Sequence, residues 1–428
     1  MSVEMRKAKE QTTAGPSTSA DAGTAAGPTP RTPARRVFAD RDARLYLGGQ
    51  ITSMIGDSSL WLAIGIWVKS LTGSSSAAAL TWFAFILGGL TGPFTSVLVD
   101  RLPLARLLVV TNLASAADVL VLLFVHDKGQ AWIAYPVMFG YGVSYALLNA
   151  GTSALVKPMF GTELLAAANA TLATAKQSMN LIAPLLGAGA LAAVGAGPVI
   201  VADALSFVVA AGALWLVRAR LGRADAHRDD TRRGGAWAVL SAGMRHILGT
   251  PAIRRVVLAV SVAILGLGFL EPAEFSVNSQ GLHRAPEFMG WLFGFQGAGS
   301  LLGGLFAARA VHALGEWRTA AAGLAGATAG IALMAVPSLP VVLVAFTGYG
   351  MALTWVVVAQ QTQLQRLTPG PMQGRAAGAA NLLTKTPQAT GIAVGSAVIG
   401  MTGYIALLGL IAGLTGTAAL SLLVPRGE

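Results

Sequence analysis

Residues 197–217 read GPVIVADALSFVVAAGALWLV, a run whose single charge is Asp203. As a helix rising 1.5 Å per residue, the run covers about 32 Å, the thickness of a bilayer's hydrocarbon core. It offers no polar face to water, so it reads as a helix surrounded by lipid and other helices. Similar runs extend outward on both sides. They lie near 45–68, 77–99, 104–125, 131–155 and 166–194 before it, and near 254–280, 288–309, 318–336, 339–364, 376–400 and 403–424 after it. The expected fold class is an all-α membrane protein of twelve transmembrane helices.

Composition points the same way. Hydrophobic residues fill 54% of the 428 positions and charged residues 11%, against roughly 25% charge in a soluble domain. The 52 glycines suit a membrane bundle, where small residues let backbones approach. The net charge of +11 does not imply nucleic acid as a partner, because the basic residues sit between apolar runs and form no separable basic domain. Without cysteine there is no disulfide, thiolate metal site or cysteine chemistry.

The placement of Lys and Arg sets the orientation. With an even number of spans both termini share one side, and 25 of the 30 basic residues fall there. Lys69, Lys128 and Arg284 fall opposite, and Lys176 and Lys385 lie inside spans. The positive-inside rule then puts both termini in the cytoplasm of a multi-pass protein of the cell membrane. Residues 1–41 are read as a disordered cytoplasmic tail, 42–217 as an N-terminal six-helix bundle, 218–252 as a cytoplasmic central loop, and 253–424 as a C-terminal six-helix bundle. The halves correspond at an offset of about 208 residues, which aligns Arg101 with Arg309 and nearly aligns Lys176 with Lys385. Such a repeat implies pseudo-two-fold symmetry about an axis along the membrane normal.

Span two ends Gly92-Pro93-Phe94-Thr95-Ser96-Val97-Leu98-Val99-Asp100-Arg101-Leu102-Pro103-Leu104-Ala105-Arg106. This resembles the loop signature of the major facilitator superfamily, Gly-x-Leu-Ala-Asp-Arg-x-Gly-Arg-Arg. Asp100, Arg101 and Arg106 match it, Ser96 replaces the first glycine, and Leu104 and Ala105 stand where basic residues are usual. Arg309 looks like the decayed second copy. The run Leu165 to Gly189, with Pro184-Leu185-Leu186-Gly187, is similar to the fifth span of the drug-exporter (drug:proton antiporter) branch. The motif there is Gly-Pro-x-x-Gly-Gly, and Ala183 and Ala188 replace two of its glycines. Gly56-Asp57 and Gly374-Arg375 also fit that branch. The resemblance implies a transporter that works by alternating access. Asp100, Arg101, Arg106 and Arg309 would form a cytoplasmic gate, with the arginines pairing with acids of the opposing half. The plainer reading is a solvated turn whose arginines set topology.

Charged groups inside apolar runs are costly, roughly 2.5–3.5 kcal/mol each at a helix centre, so they usually face a cavity or a partner. Asp57, Asp118, Lys176, Asp203, Glu271, Glu274 and Lys385 are such groups. Asp57 is the leading proton-coupling candidate, with Glu271 and Glu274 as the others, although those two also suit an outer mouth. Asp203 either reaches the outer interface or lies within the bundle, and Asp118 suits a neutral carboxyl between helices. Helical spacing groups further candidates for the substrate path: Tyr141, Tyr145 and Asn149 on span four, Lys176 and Asn180 on span five, Asn381, Lys385 and Gln388 on span eleven. Lys176 is expected to pair with Asp57. Lys385 has no evident acidic partner and is read as facing the substrate. Trp61, Trp82, Phe85, Trp291, Phe295 and Trp355 are candidates for an apolar pocket, or else packing and lipid-facing residues.

There is no Gly-x-x-x-x-Gly-Lys-Ser/Thr loop for ATP, the glycines 297, 299 and 303 lie within an apolar span, and the five histidines show no metal spacing. The expected function is export of a hydrophobic or amphipathic small molecule, such as an antibiotic or natural product, by proton antiport. The expected protein is a monomer in the bilayer, with no cofactor and the proton gradient as its energy source. The alternatives are an importer or facilitator of a nutrient on the same fold, or, in another class, a membrane-embedded enzyme or sensor.

Overall fold

The computed structural model describes residues 40–225, 236–369 and 372–423, and those residues form helices joined by short connections, with no strand among them. The helices are α1 (Arg41–Thr72), α2 (Ser75–Gly89), α3 (Gly92–Arg101), α4 (Leu104–Leu120), α5 (Ala134–Val194) and α6 (Ala196–Asp225), then α7 (Ala236–Gly249), α8 (Pro251–Ser276), α9 (Met289–Leu314), α10 (Glu316–Leu333), α11 (Leu339–Leu367) and α12 (Gln373–Leu423). Eight helical stretches are long and apolar enough to cross a membrane. Local chemistry marks their ends. The Asp40 carboxylate accepts from the backbone N–H groups of Asp42 and Ala43 at the start of α1, and Gly73, at φ 70°, takes the left-handed conformation that stops it.

Two helices are not single rods. α5 would be about 92 Å long if straight, three bilayer cores. Its Tyr141 nevertheless bonds Asp57, while its Gly187 backs onto the carbonyl of Ser59, two residues along α1. The chain therefore doubles back within α5 and returns along the same partner. α12 is divided at Gly403, whose φ of 74° and ψ of 163° interrupt the helical path. The run expected as one span over 77–99 is instead two helices, α2 and α3. The chain turns at Leu90–Thr91, where Thr91 Oγ1 donates to the Gly88 carbonyl and a proline opens α3.

Close crossings rely on glycine. A side chain on Gly88 would strike the backbone at Phe139, and one on Gly142 that at Phe85. The same arrangement recurs where Gly299 meets Thr347 and Gly350 meets Gln296. Gly268 of α8 and Gly391 of α12 likewise sit against each other's backbone. In lipid, apolar burial drives helices together only weakly, so such backbone approach and its dispersion contacts carry the packing.

Buried apolar side chains form clusters that differ between the two ends of the bundle. At the end carrying the chain termini, one cluster is built from α1 and α3–α6, including Tyr46, Leu108 and Leu214. Two others are built from α7–α12. At the opposite, distal end a single cluster joins residues of α1, α2 and α4–α6 to residues of α8–α12. Trp82 lies at its centre. It stacks on Trp61 at 5.0 Å and meets Phe275 and Phe293 at 5.2 and 5.9 Å. Beside it Lys69 Nζ donates to Ser75 Oγ at 2.7 Å, and Ser276 Oγ donates to the same oxygen at 3.0 Å from across the seam. The two sets of helices are thus sealed together distally and keep separate cores toward the termini.

The polar stretch expected as a loop over 218–252 is partly helical. α6 runs on to Asp225, and α7 occupies 236–249; residues 226–235 lie outside the described residues. α7 is amphipathic: Leu240, Met244 and Ile247 turn inward, Gly243 lets the helix approach the carbonyl of Arg375 on α12, and Trp237 and Arg245 face outward. The tail expected over 1–41 lies outside the described residues apart from its last two positions, where Asp40 caps α1.

Candidate functional site

The first cluster of polar groups forms where α1, α5 and α6 meet. Asp57 on α1 accepts a hydrogen bond of 2.8 Å from the Tyr141 hydroxyl of α5. Tyr141 is 3% exposed and held between the rings of Phe85 and Phe207. Asp203 of α6 is 1% exposed, which decides between its two sequence readings: it lies within the bundle. Gly56 makes room for it, since a side chain there would strike Asp203 Oδ1 and Ser206 Oγ. Tyr141 therefore faces both carboxyl groups. Asp118 of α4 lies against Gly140, one residue from Tyr141, with Oδ2 buried and without a hydrogen-bond partner among the described residues. A carboxyl among apolar rings with a single phenol donor has the chemistry to take up and give up a proton.

The second cluster lies on α8, α11 and α12. Glu274 is 4% exposed, Glu271 is half-buried, and both face Tyr349, which is itself buried. Lys385 and Gln388 of α12 stand beside Glu271, and Lys385 Nζ donates to Gln388 Oε1 at 2.8 Å. The contact of Gly268 with Gly391 brings these helices close enough for that pairing. Lys385 thus has an acidic neighbour, one that sequence spacing does not reveal. Asn278, just beyond the end of α8, donates to the Ala285 carbonyl at 2.9 Å and pins the loop that follows.

The remaining candidates divide. Tyr145 and Asn149 are exposed below Tyr141, and Asn381 is exposed below Lys385. Arg106 and Arg309 are exposed at the terminal end. The side chains of Asp100, Arg101, Lys176 and Asn180 lie outside the described residues. The backbone of α5 still fixes a register: with Gly187 level with Ser59, Lys176 falls about 16 Å toward the termini, level with Gly48 and far from Asp57. Trp61 and Trp82 belong to the distal seal, and Phe85 braces Tyr141 and Tyr145. Trp291 and Phe295 are exposed, and Trp355 donates to the Gly303 carbonyl. The partners missed in the sequence are Ser206 and Tyr349. Tyr349 follows Tyr141 by 208 residues, the offset already carried by Arg101 and Arg309, and that signal was available. Among the described residues no three of His, Cys, Asp and Glu gather as ligands for a metal ion.

The sequence profile of the Major Facilitator Superfamily matches residues 46–384. No curated protein matches the sequence. Among solved structures, the chain is similar to a bacterial homologue of the iron transporter ferroportin in its inward-facing state, with a TM-score of 0.65, 15% identity, and coverage of 91% of this chain and 98% of that one. It is similar to the nucleoside transporter NupG, with a TM-score of 0.69, 9% identity, and coverage of 90% and 98%. It is also similar to the human organic anion transporter MFSD10, with a TM-score of 0.62, 18% identity, and coverage of 91% and 99%. At these identities the likeness is one of fold.

Proposed function

The chain belongs to the major facilitator superfamily and is therefore a multi-pass membrane transporter of a small molecule, not an enzyme, and from that premise we propose that it is a proton-coupled exporter of a hydrophobic or amphipathic compound. The observation that carries the proposal is the buried Asp57–Tyr141–Asp203 group in a bundle sealed at one end. A passive facilitator gains nothing from keeping costly carboxyl groups among apolar rings, whereas a coupled carrier needs a group that binds and releases a proton. Membership of the drug-exporter branch is supported by Gly56-Asp57 and Gly187. Both glycines create the close contacts that shape this group.

In the proposed architecture twelve spans form two six-helix halves related by pseudo-two-fold symmetry, both termini are cytoplasmic, and the monomer is the working unit. The paired glycine crossings at Gly88/Gly142 and Gly299/Gly350, and the tyrosines 208 residues apart, support the repeat. The doubled α5, the broken α2–α3 and the divided α12 support the count. Transport proceeds by rocking one half against the other, with Asp57 as the proton carrier, Glu271 and Glu274 as further coupling groups, and Tyr145, Asn149, Asn180, Lys176, Asn381, Lys385 and Gln388 along the substrate path. The Asp100, Arg101, Arg106 and Arg309 group is assigned to the terminal-end gate, and the contact of α3 with α7 supports that assignment.

The test is uptake of an amphipathic fluorescent dye into inverted vesicles under an imposed pH gradient. The wild type accumulates dye and loses it when the gradient is collapsed. Asp57→Asn binds dye but does not accumulate it, because an amide keeps the shape and cannot cycle a proton. Accumulation by this variant equal to wild type removes Asp57 from coupling, and accumulation only under the opposite gradient turns the reading into that of an importer.

A further inference from the structure

Asp203 is 1% exposed, and neither of its carboxyl oxygens has a hydrogen-bond partner among the described residues. The donors nearest to it are already spent. Ser206 Oγ gives its hydrogen to the backbone carbonyl of Asp203 at 2.8 Å, and Tyr141 gives its hydrogen to Asp57 Oδ1 at 2.8 Å. The carboxyl group is aimed at the face of α1 left open by Gly56, the residue before Asp57. A carboxylate there meets only the Tyr141 and Ser206 hydroxyls, whose hydrogens are given to other acceptors, and two carboxylates side by side in an apolar pocket cannot both ionise. A protonated Asp203 becomes a donor, and the Asp57 carboxylate is the acceptor beside it.

The geometry points to a single proton site made of Asp57 and Asp203, which hold one proton between them at rest and accept a second on the proton-bearing leg of the cycle. The second proton rests on the proton-coupled reading above; the shared one does not. The charge of the site alternates between minus one and zero, and Tyr141 anchors the negative form by donating to Asp57. The ligand proposed here is a proton, and the sodium arm of the test below separates it from a metal cation. The other charged groups near the pair are few. Asp118 of α4 faces Gly140 beside Tyr141, Lys69 on α1 lies about 18 Å along the helix and bonds Gly73 and Ser75, and the register of α5 puts the Lys176 backbone about 13–14 Å toward the termini.

Proton uptake by the purified full chain, followed with a pH-indicator dye, tests the pair without any transport. In Asp203→Leu the Asp57 carboxylate loses the donor that stabilised it, so the uptake midpoint moves to higher pH by about one to two units. In Asp203→Asn the amide N–H replaces the shared proton, and the midpoint stays near that of the wild type. The shift in Asp203→Leu persists when Asp118→Asn is present in both proteins. A midpoint that moves to lower pH in Asp203→Asn would mean that Asp203 is ionised and independent, and would overturn the pair. So would equal midpoints in all three proteins, or proton uptake suppressed when sodium chloride replaces choline chloride. Should the midpoints behave as expected while dye transport ignores the pH gradient, the shared proton stands and the proton-antiport reading falls.

Discussion

Trp82→Ala should loosen the distal seal by an amount set by the contacts that cross it. Trp82 is 1% exposed and touches three rings. Its stacking on Trp61, and the 3.1 Å bond from its Nε1 to the Trp61 carbonyl, stay within one set of helices. They survive when the two sets part. The contacts with Phe275 at 5.2 Å and Phe293 at 5.9 Å cross the seam and exist only while it is closed. Each such aromatic pair contributes roughly 0.5–1.5 kcal/mol beyond burial, so the two together bias the seal by about 1–3 kcal/mol. That corresponds to about a 5- to 150-fold change in the open fraction. The larger cost of truncating a buried tryptophan, roughly 3–5 kcal/mol, includes contacts kept in both states and appears as thermal destabilisation. The chain has no cysteine, so Ser276→Cys, buried at the seam, reports opening through its rate of reaction with an impermeant thiol reagent. The rate in the Trp82→Ala background should rise within the range above. An unchanged rate together with a lowered melting temperature would mean that Trp82 packs its own half and seals nothing.

Gly187→Ala should lower the melting temperature, through an overpacking cost of roughly 1–3 kcal/mol against the Ser59 backbone, while Gly189→Ala, which points into open space, should not; equal melting temperatures would refute the α1–α5 register. Lys385→Met and Glu271→Gln should be less than additive in dye transport, with a coupling no larger than about 1 kcal/mol because Lys385 is exposed; strict additivity would show that the two do not interact. Ser74→Cys and Gly129→Cys should label from outside intact cells, and Ala238→Cys on α7 only after permeabilisation. External labelling at 238 would reverse the orientation.

Helices were legible because their signal is local: run length and the absence of charge are enough to find a membrane-spanning segment. The turn at Leu90–Thr91 and the helix at 236–249 were not, since the first depends on how Gly88 and Gly142 cross and the second is a short amphipathic stretch within a polar region. At the site, Asp57 stood out as an acid deep in an apolar run. Asp203 looked equivalent to any acid near a helix start until Gly56 was seen to open space for it. Lys176 illustrates the limit most clearly. The pairing expected with Asp57 needs the two at one depth, but relative depth is set by which residues of two helices meet, and Gly187 meets Ser59.

The seal and the two acid clusters are not separate devices. Trp61 is one turn beyond Asp57 on α1, and it stacks on Trp82. Trp82 meets Phe275, which is one turn beyond Glu271 on α8 and adjacent to Glu274. The aromatic stack therefore runs from the neighbourhood of one acid cluster to that of the other, across the seam between the two sets of helices. Contiguity alone does not make a signalling path; what is required is an element with two arrangements that both sites bias. In the proposed rocking cycle the distal seam is that element, its contacts between the two sets of helices made in one state and broken in the other. A change of charge at Asp57 alters the environment one turn from Trp61, and a change at Glu271 does so one turn from Phe275. On the proposed reading both would act on the same closed-to-open equilibrium, and their effects on it would combine as free energies. A carrier built this way needs no direct contact between proton and substrate. Each has only to favour one state of the seam.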